Sequence, residues 1–131
     1  MKLHTSPPEI QDCLHKKLQQ YNANYMTGFK DYSLHIEEDG AVVAGIVAGS
    51  VGDTLEVEFL FVDDAVRGRH LGAALLSEAE HRAKADGIKR VLLNTYSFQA
   101  PGFYRKMGYH QLFALHPCFD SYSQHFFIKE L

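Results

Sequence analysis

Val62-Asp63-Asp64-Ala65-Val66-Arg67-Gly68-Arg69-His70-Leu71-Gly72-Ala73-Ala74-Leu75-Leu76 reads as the end of a strand, a glycine-bearing turn and the start of a long helix. A helix start carries backbone N–H groups without intrahelical partners, and the positive end of the helix dipole. Gly68 and Gly72 let a ligand approach the backbone, while Arg67, Arg69 and His70 add positive charge. Together they predict an anion site, most naturally for phosphate or pyrophosphate. On local features alone, the competing reading is a strand-to-helix turn with solvated arginines. Neither Gly-x-Gly-x-x-Gly nor Gly-x₄-Gly-Lys-Ser/Thr is present, which argues against NAD and ATP.

Upstream of this stretch, Tyr32–Glu37 and Ala41–Ser50 alternate as two strands joined through Asp39-Gly40, a strong hairpin signal. A third strand, Thr54–Val62, puts Leu55, Val57, Phe59 and Phe61 on one face. Glu56, Glu58, Leu60 and Val62 then share the other. At the N-terminus, Ser6-Pro7-Pro8-Glu9 opens a helix in capping-box style, and Ile10, Leu14, Leu18 and Tyr21 recur at helical spacing. Downstream, a helix from Arg69 to Asp86 stops at Gly87, and Arg90–Tyr96 is a short apolar strand. Pro101 starts a helix that Gly108 ends; Tyr109–Leu115 and Gln124–Glu130 form a last strand pair around a loop at His116–Ser123. The order predicts an α/β fold with a mixed, mostly antiparallel sheet flanked by helices. Its one parallel strand pair, Val57–Val62 with Arg90–Tyr96, is joined across the long helix.

A chain of 131 residues with 46% hydrophobic and 22% charged residues predicts one globular domain over 1–131. The net charge of −3 argues against a dedicated nucleic-acid binder. The longest apolar stretch, Ala41–Gly49, is far short of the roughly 20 residues that span a bilayer, so no membrane partner is expected. No apolar leader follows Met1, and Cys13 and Cys118 form no Cys-x-x-Cys pair, which predicts reduced thiols in a cytoplasmic protein. The eight histidines are scattered without ligand spacing, so no metal is expected.

Arg67-Gly68-Arg69-His70-Leu71-Gly72 resembles the Arg/Gln-x-x-Gly-x-Gly/Ala signature of the GNAT superfamily of acyl-CoA-dependent N-acyltransferases. Phe103-Tyr104-Arg105-Lys106-Met107-Gly108-Tyr109 resembles that family's later Phe-Tyr-x-Lys-x-Gly-Phe/Tyr element, at a fitting separation. His70 departs from the pattern, standing where the middle glycine is commonest; a side chain there is compatible with the turn if φ stays negative. The resemblance implies a GNAT-like fold in which the parallel pair is splayed. It implies that backbone groups around Phe61 and Val62 bind the pantetheine arm of acetyl-CoA. The N–H groups of Arg67, Gly68, Arg69, His70, Leu71, Gly72 and Ala73 would hold the pyrophosphate, and Asn94 would face the splayed gap. Tyr104 would be the general acid at the coenzyme A sulfur, titrating near the ordinary phenol pKa of about 10.

The chemistry adds a base, because an amine with a pKa of about 10.4 is protonated at neutral pH. Glu58, sharing a strand face with Val62, is the first candidate. Phe103 and Met107, four apart, form the core stripe of their helix, and Tyr104 is rotated off it. The expected function is transfer of an acetyl group from acetyl-CoA to a primary amine, of a small molecule or lysine-like acceptor, by direct attack in a ternary complex. The alternative is a catalytically weak acyl-CoA-binding or sensing module on the same fold. The resemblance implies that Tyr21, Tyr25, Met26, Phe29 and Tyr32, with Phe119 and Tyr122, border the acceptor site; cover for the core or a homodimer contact are the other uses of them.

Overall fold

The computed structural model describes residues 1–131. After helix α1 (Pro8–Asn22) come strands β1 (Lys30–Asp31), β2 (Leu34–Glu38), β3 (Ala41–Val51) and β4 (Thr54–Val62). A 3₁₀ turn at Asp64–Val66 leads into α2 (Leu71–Ala85), β5 (Arg90–Tyr96), α3 (Pro101–Lys106), β6 (His110–Phe119) and β7 (Tyr122–Glu130). All seven strands lie in one sheet of order β1-β3-β4-β5-β7-β6, with β2 also on the outer edge of β3. The β2–β3 hairpin turns through Asp39 (φ 52°) and Gly40 (φ 79°), the two positive φ values that a tight hairpin demands.

Only β4 and β5 run parallel, and they pair at just three positions: Thr54 with Arg90, Leu55 with Val91 and Glu56 with Leu92. Beyond these the strands part. β4 continues to Val62 against β3, while β5 continues to Tyr96 against β7, leaving a wedge-shaped gap between them. The splayed pair expected from the family resemblance is therefore present.

One face of the sheet carries the core. Leu75, Leu76, Ala79 and Ala83 of α2 pack with Ile46, Leu55, Val57 and Val91, all of them buried. Full burial of a leucine such as Leu76 contributes about 1.5–3 kcal/mol. The regular alternation expected along β4 fails at its centre. Val47 pairs with Phe59 but Ala48 with Val57, so Glu58 is the extra residue of a β-bulge. The bulge advances the pattern by one. Leu60 and Val62 join Leu55 and Val57 in the core, whereas Phe59 and Phe61 stand on the opposite, open face. Glu58 therefore does not share a face with Val62.

Three other expectations are revised. The residues expected as a loop at His116–Ser123 are mostly strand, and the hairpin turns at Asp120-Ser121. Pro117 is accommodated because β6 is an edge strand. Helix α1 starts with Pro7 as N-cap and no side-chain cap; Gln11 Nε2 instead donates to the Ser6 carbonyl at 2.9 Å. Tyr32, placed on the acceptor side, is buried in the core, with its hydroxyl donating to Asp86 at 2.8 Å. No helix is long and apolar enough to cross a membrane.

Candidate active site

The turn after β4 is built to leave its amides free. Asp63 N–H still bonds across to Val43, and Arg67 N–H closes the 3₁₀ turn on Asp64. The next bond is Ala74 N–H to the His70 carbonyl at 3.0 Å, the first of α2. Between them, the N–H groups from Gly68 through Ala73 have no partner in the chain. Six consecutive donors at the positive end of a 15-residue helix make a strong anion cradle. Arg67 drops out of the expected set of amide donors, because its own amide is used.

Backbone conformation explains the sequence here. Gly68 has φ +81° with nothing near its missing Cβ, so glycine is required for conformation rather than for space. The missing Cβ of Gly72 would lie 3.6 Å from Val62 and 3.8 Å from Leu60 and Phe103. These are ordinary van der Waals separations, so packing against β4 and α3 does not by itself demand glycine at 72. His70 has φ +60°, against the expectation of a negative value. A left-handed non-glycine residue at a binding turn stores about 1–2 kcal/mol of strain, partly offset by the extra chain entropy of a glycine there. His70→Gly is expected to raise the melting temperature by about 2–4 °C in calorimetry. A lowered value would mean that the turn is unstrained, because only the chain-entropy cost of the glycine would remain.

The two arginines are already engaged. Arg67 Nε donates to the Val62 carbonyl at 3.1 Å, and its guanidinium pairs with Asp64 at 2.8 Å. Arg69 forms a two-bond fork with Glu38, at 3.0 and 2.5 Å. The Arg69 guanidinium holds the Glu38 carboxyl below the usual carboxylate range. The positive character of the turn thus comes chiefly from its amides, and the side chains pin it to β2 and β4.

Along the gap, the ladder alternates. The Asp63–Val43 bond makes Phe61 and Gly45 a mutually bonded pair, so the peptide groups of Phe61 face β3. Those of Leu60 and Val62 face the gap, so of the expected Phe61 and Val62 only Val62 turns its peptide groups toward it. Asn94 lies on β5 past the last β4–β5 pair, at the gap, where its Oδ1 accepts from Gln124 Nε2 at 3.1 Å.

Tyr104 is the buried residue of α3, only 6% exposed, while Phe103 and Met107 are half-buried beside the core. The stripe expected from sequence is rotated, because this short helix lies over Tyr109 and Phe127, whose rings are 5.8 and 6.3 Å from that of Tyr104. Burial pushes the Tyr104 phenol up to about 12. Its hydroxyl makes no hydrogen bond, yet no fully buried polar side-chain atom lacks a partner, so the phenol tip is accessible. Beyond the end of β5, Tyr96 and Phe98 stack at 5.5 Å, and Phe119 and Tyr122 meet Phe98 edge-on at 5.9 and 5.0 Å. Phe119 and Tyr122 were expected near the acceptor; Tyr96 and Phe98 were hidden by their position in a strand and its turn.

A splayed parallel pair with a row of free amides at one end makes an open groove that ends in an anion cradle. The acetyltransferase (GNAT) family model matches residues 3–109, and the chain belongs to that family. It is 35% identical over 95 residues to blasticidin-S acetyltransferase of Streptomyces morookaense, covering 72% of this chain and 70% of that one. Among solved structures, an acetyltransferase from Bacillus cereus ATCC 14579 is 31% identical, with a TM-score of 0.83 over 100% of this chain and 98% of its own. A Bacillus anthracis structure in complex with acetyl coenzyme A shares the fold at 16% identity, with a TM-score of 0.68 over 82% of this chain and 66% of its own. The protein is an acetyl-transferring enzyme.

Proposed function

We propose that the protein transfers the acetyl group of acetyl-CoA to a primary amine of a small molecule by direct attack in a ternary complex. The observation that carries this reading is the run of free amides from Gly68 to Ala73 at the mouth of the β4–β5 gap. Those amides hold the pyrophosphate, and the gap-facing peptide groups of Leu60 and Val62 align the pantetheine arm as an added strand, with Asn94 opposite. Because Arg67 Nε already takes the Val62 carbonyl, that side chain yields when the arm enters. Glu58, exposed on the bulge, accepts the ammonium proton directly or through water. A backbone N–H near Leu60–Val62 stabilises negative charge on the thioester carbonyl oxygen, and the Tyr104 hydroxyl meets the departing sulfur. The aromatic cluster at Tyr96, Phe98, Phe119 and Tyr122 suits an acceptor with a planar or apolar body. The blasticidin-S acetyltransferase relationship supports a small-molecule acceptor.

The test is a panel of small-molecule amines with acetyl-CoA, following released thiol. Turnover with at least one amine is expected. Acetyl-CoA binding without turnover would favour an acyl-CoA-binding module, and absence of binding in calorimetry would sink the cradle itself. Gly68→Val, which forces the turn out of its left-handed conformation, is expected to weaken acetyl-CoA binding by about tenfold or more, from about 1–2 kcal/mol of strain.

A further inference from the structure

Two surfaces of this chain lack a partner, and they match. Helix α1 has no buried residue, and Ile10, Leu14, Leu18 and Tyr21 are 46–64% exposed along one stripe. The face of the sheet opposite the core is also bare: Phe59, Phe61 and Phe113 are 51–57% exposed, beside half-buried Val47, Leu92 and Phe126. Soluble proteins seldom leave contiguous apolar patches of this kind uncovered. Their charges match as well. At 100° per residue, Lys17 flanks the apolar stripe of α1, about 20° from Ile10 in projection. Glu56 sits inside the open face, between Gly49 of β3 and Leu92 of β5. Neither takes part in any of the ion pairs within the chain.

The connector already runs onto this face. The ring of Phe29 covers Gly49, where an added Cβ would be 2.8 Å from it, yet α1 beyond the connector leaves its own sheet. We infer that α1 is exchanged between two copies, the helix of each lying across the open sheet face of the other, with Lys17 of the partner subunit against Glu56. Exchange of an identical element is a low-cost route to a closed two-fold dimer, and reciprocity makes the contact twice. That doubling brings two four-turn helices, each about 22 Å long, into the range of a stable interface.

Sedimentation and light scattering of the full chain at tens of micromolar test this. A particle of twice 14.8 kDa is expected, and a monomer would overturn the inference. Leu14→Asp combined with Leu18→Asp, or Val47→Asp alone, should each give the 14.8 kDa species with the sheet spectrum intact. A dimer that ignores the helix variant uses another interface. One that responds to the helix variant but not to Val47→Asp is a helix–helix pair. Either result overturns the exchange. Lys17→Glu should weaken association at least tenfold, and adding Glu56→Lys should restore it. Failure of that rescue refutes the seating of α1 on this face. None of these readouts depends on acetyl transfer.

Discussion

Tyr104→Phe is expected to lower kcat by about 10²–10³-fold while acetyl-CoA affinity stays within about twofold. The phenylalanine keeps the ring contacts with Phe103, Tyr109 and Phe127 and removes only the accessible hydroxyl. The size of the effect follows from acidity. A phenol pushed up to about 12 faces a thiol whose ordinary pKa is about 8.5, a gap of roughly 3.5 pH units. Complete proton transfer to the thiolate would be uphill by about 5 kcal/mol, so the hydroxyl acts chiefly as a donor to the developing charge. Loss of one preorganised donor of that type costs about 10²–10³. The pH profile provides a second readout. Because burial keeps the phenol protonated well past pH 10, it supplies no alkaline limb near 10, against the expectation from its ordinary pKa. The variant and the parent should therefore share one profile shape up to about pH 10. A kcat unchanged while chemistry is rate-limiting removes Tyr104 from the mechanism; a raised KM with kcat intact makes it a positioning residue.

Glu80→Ala should destabilise the fold by about 3 kcal/mol, lowering the melting temperature by roughly 10 °C. Glu80 sits on the buried side of α2, 8% exposed. It accepts from Tyr109 Oη at 2.6 Å and from Lys129 Nζ at 3.0 Å, tying the helix to the segment after α3 and to β7. Burial, and the carboxylate beside it, push the Tyr109 phenol far above its ordinary value. Removing the carboxylate strands a buried hydroxyl and a half-buried ammonium, whereas Glu80→Gln keeps an acceptor for Tyr109 and should cost less than half as much. Differential scanning calorimetry of both variants checks this, and equal losses would show that the stabilisation comes from the charge, with an uncharged acceptor for Tyr109 contributing nothing.

Much of this molecule is written in short-range signals. Asp39-Gly40 dictates the hairpin because both residues must take positive φ, and Gly87 and Gly108, at φ +87° and +93°, end their helices for the same reason. The strand–turn–helix stretch around Gly68 announces an anion cradle because free amides at a helix start are a local property of the chain. What needed the folded sheet is what depends on a neighbour. The bulge at Glu58 exists only in the register of β4 against β3, and it decides that Phe59 and Phe61 leave the core. The orientation of Tyr104 depends on Tyr109 and Phe127 arriving over a six-residue helix too short to impose its own stripe. Arg67 and Arg69 look like free positive charges until Asp64, Val62 and Glu38 are brought beside them. Periodicity told that α1 would have an apolar face but not what covers it, because amphipathicity states that a surface must be buried without saying by which chain.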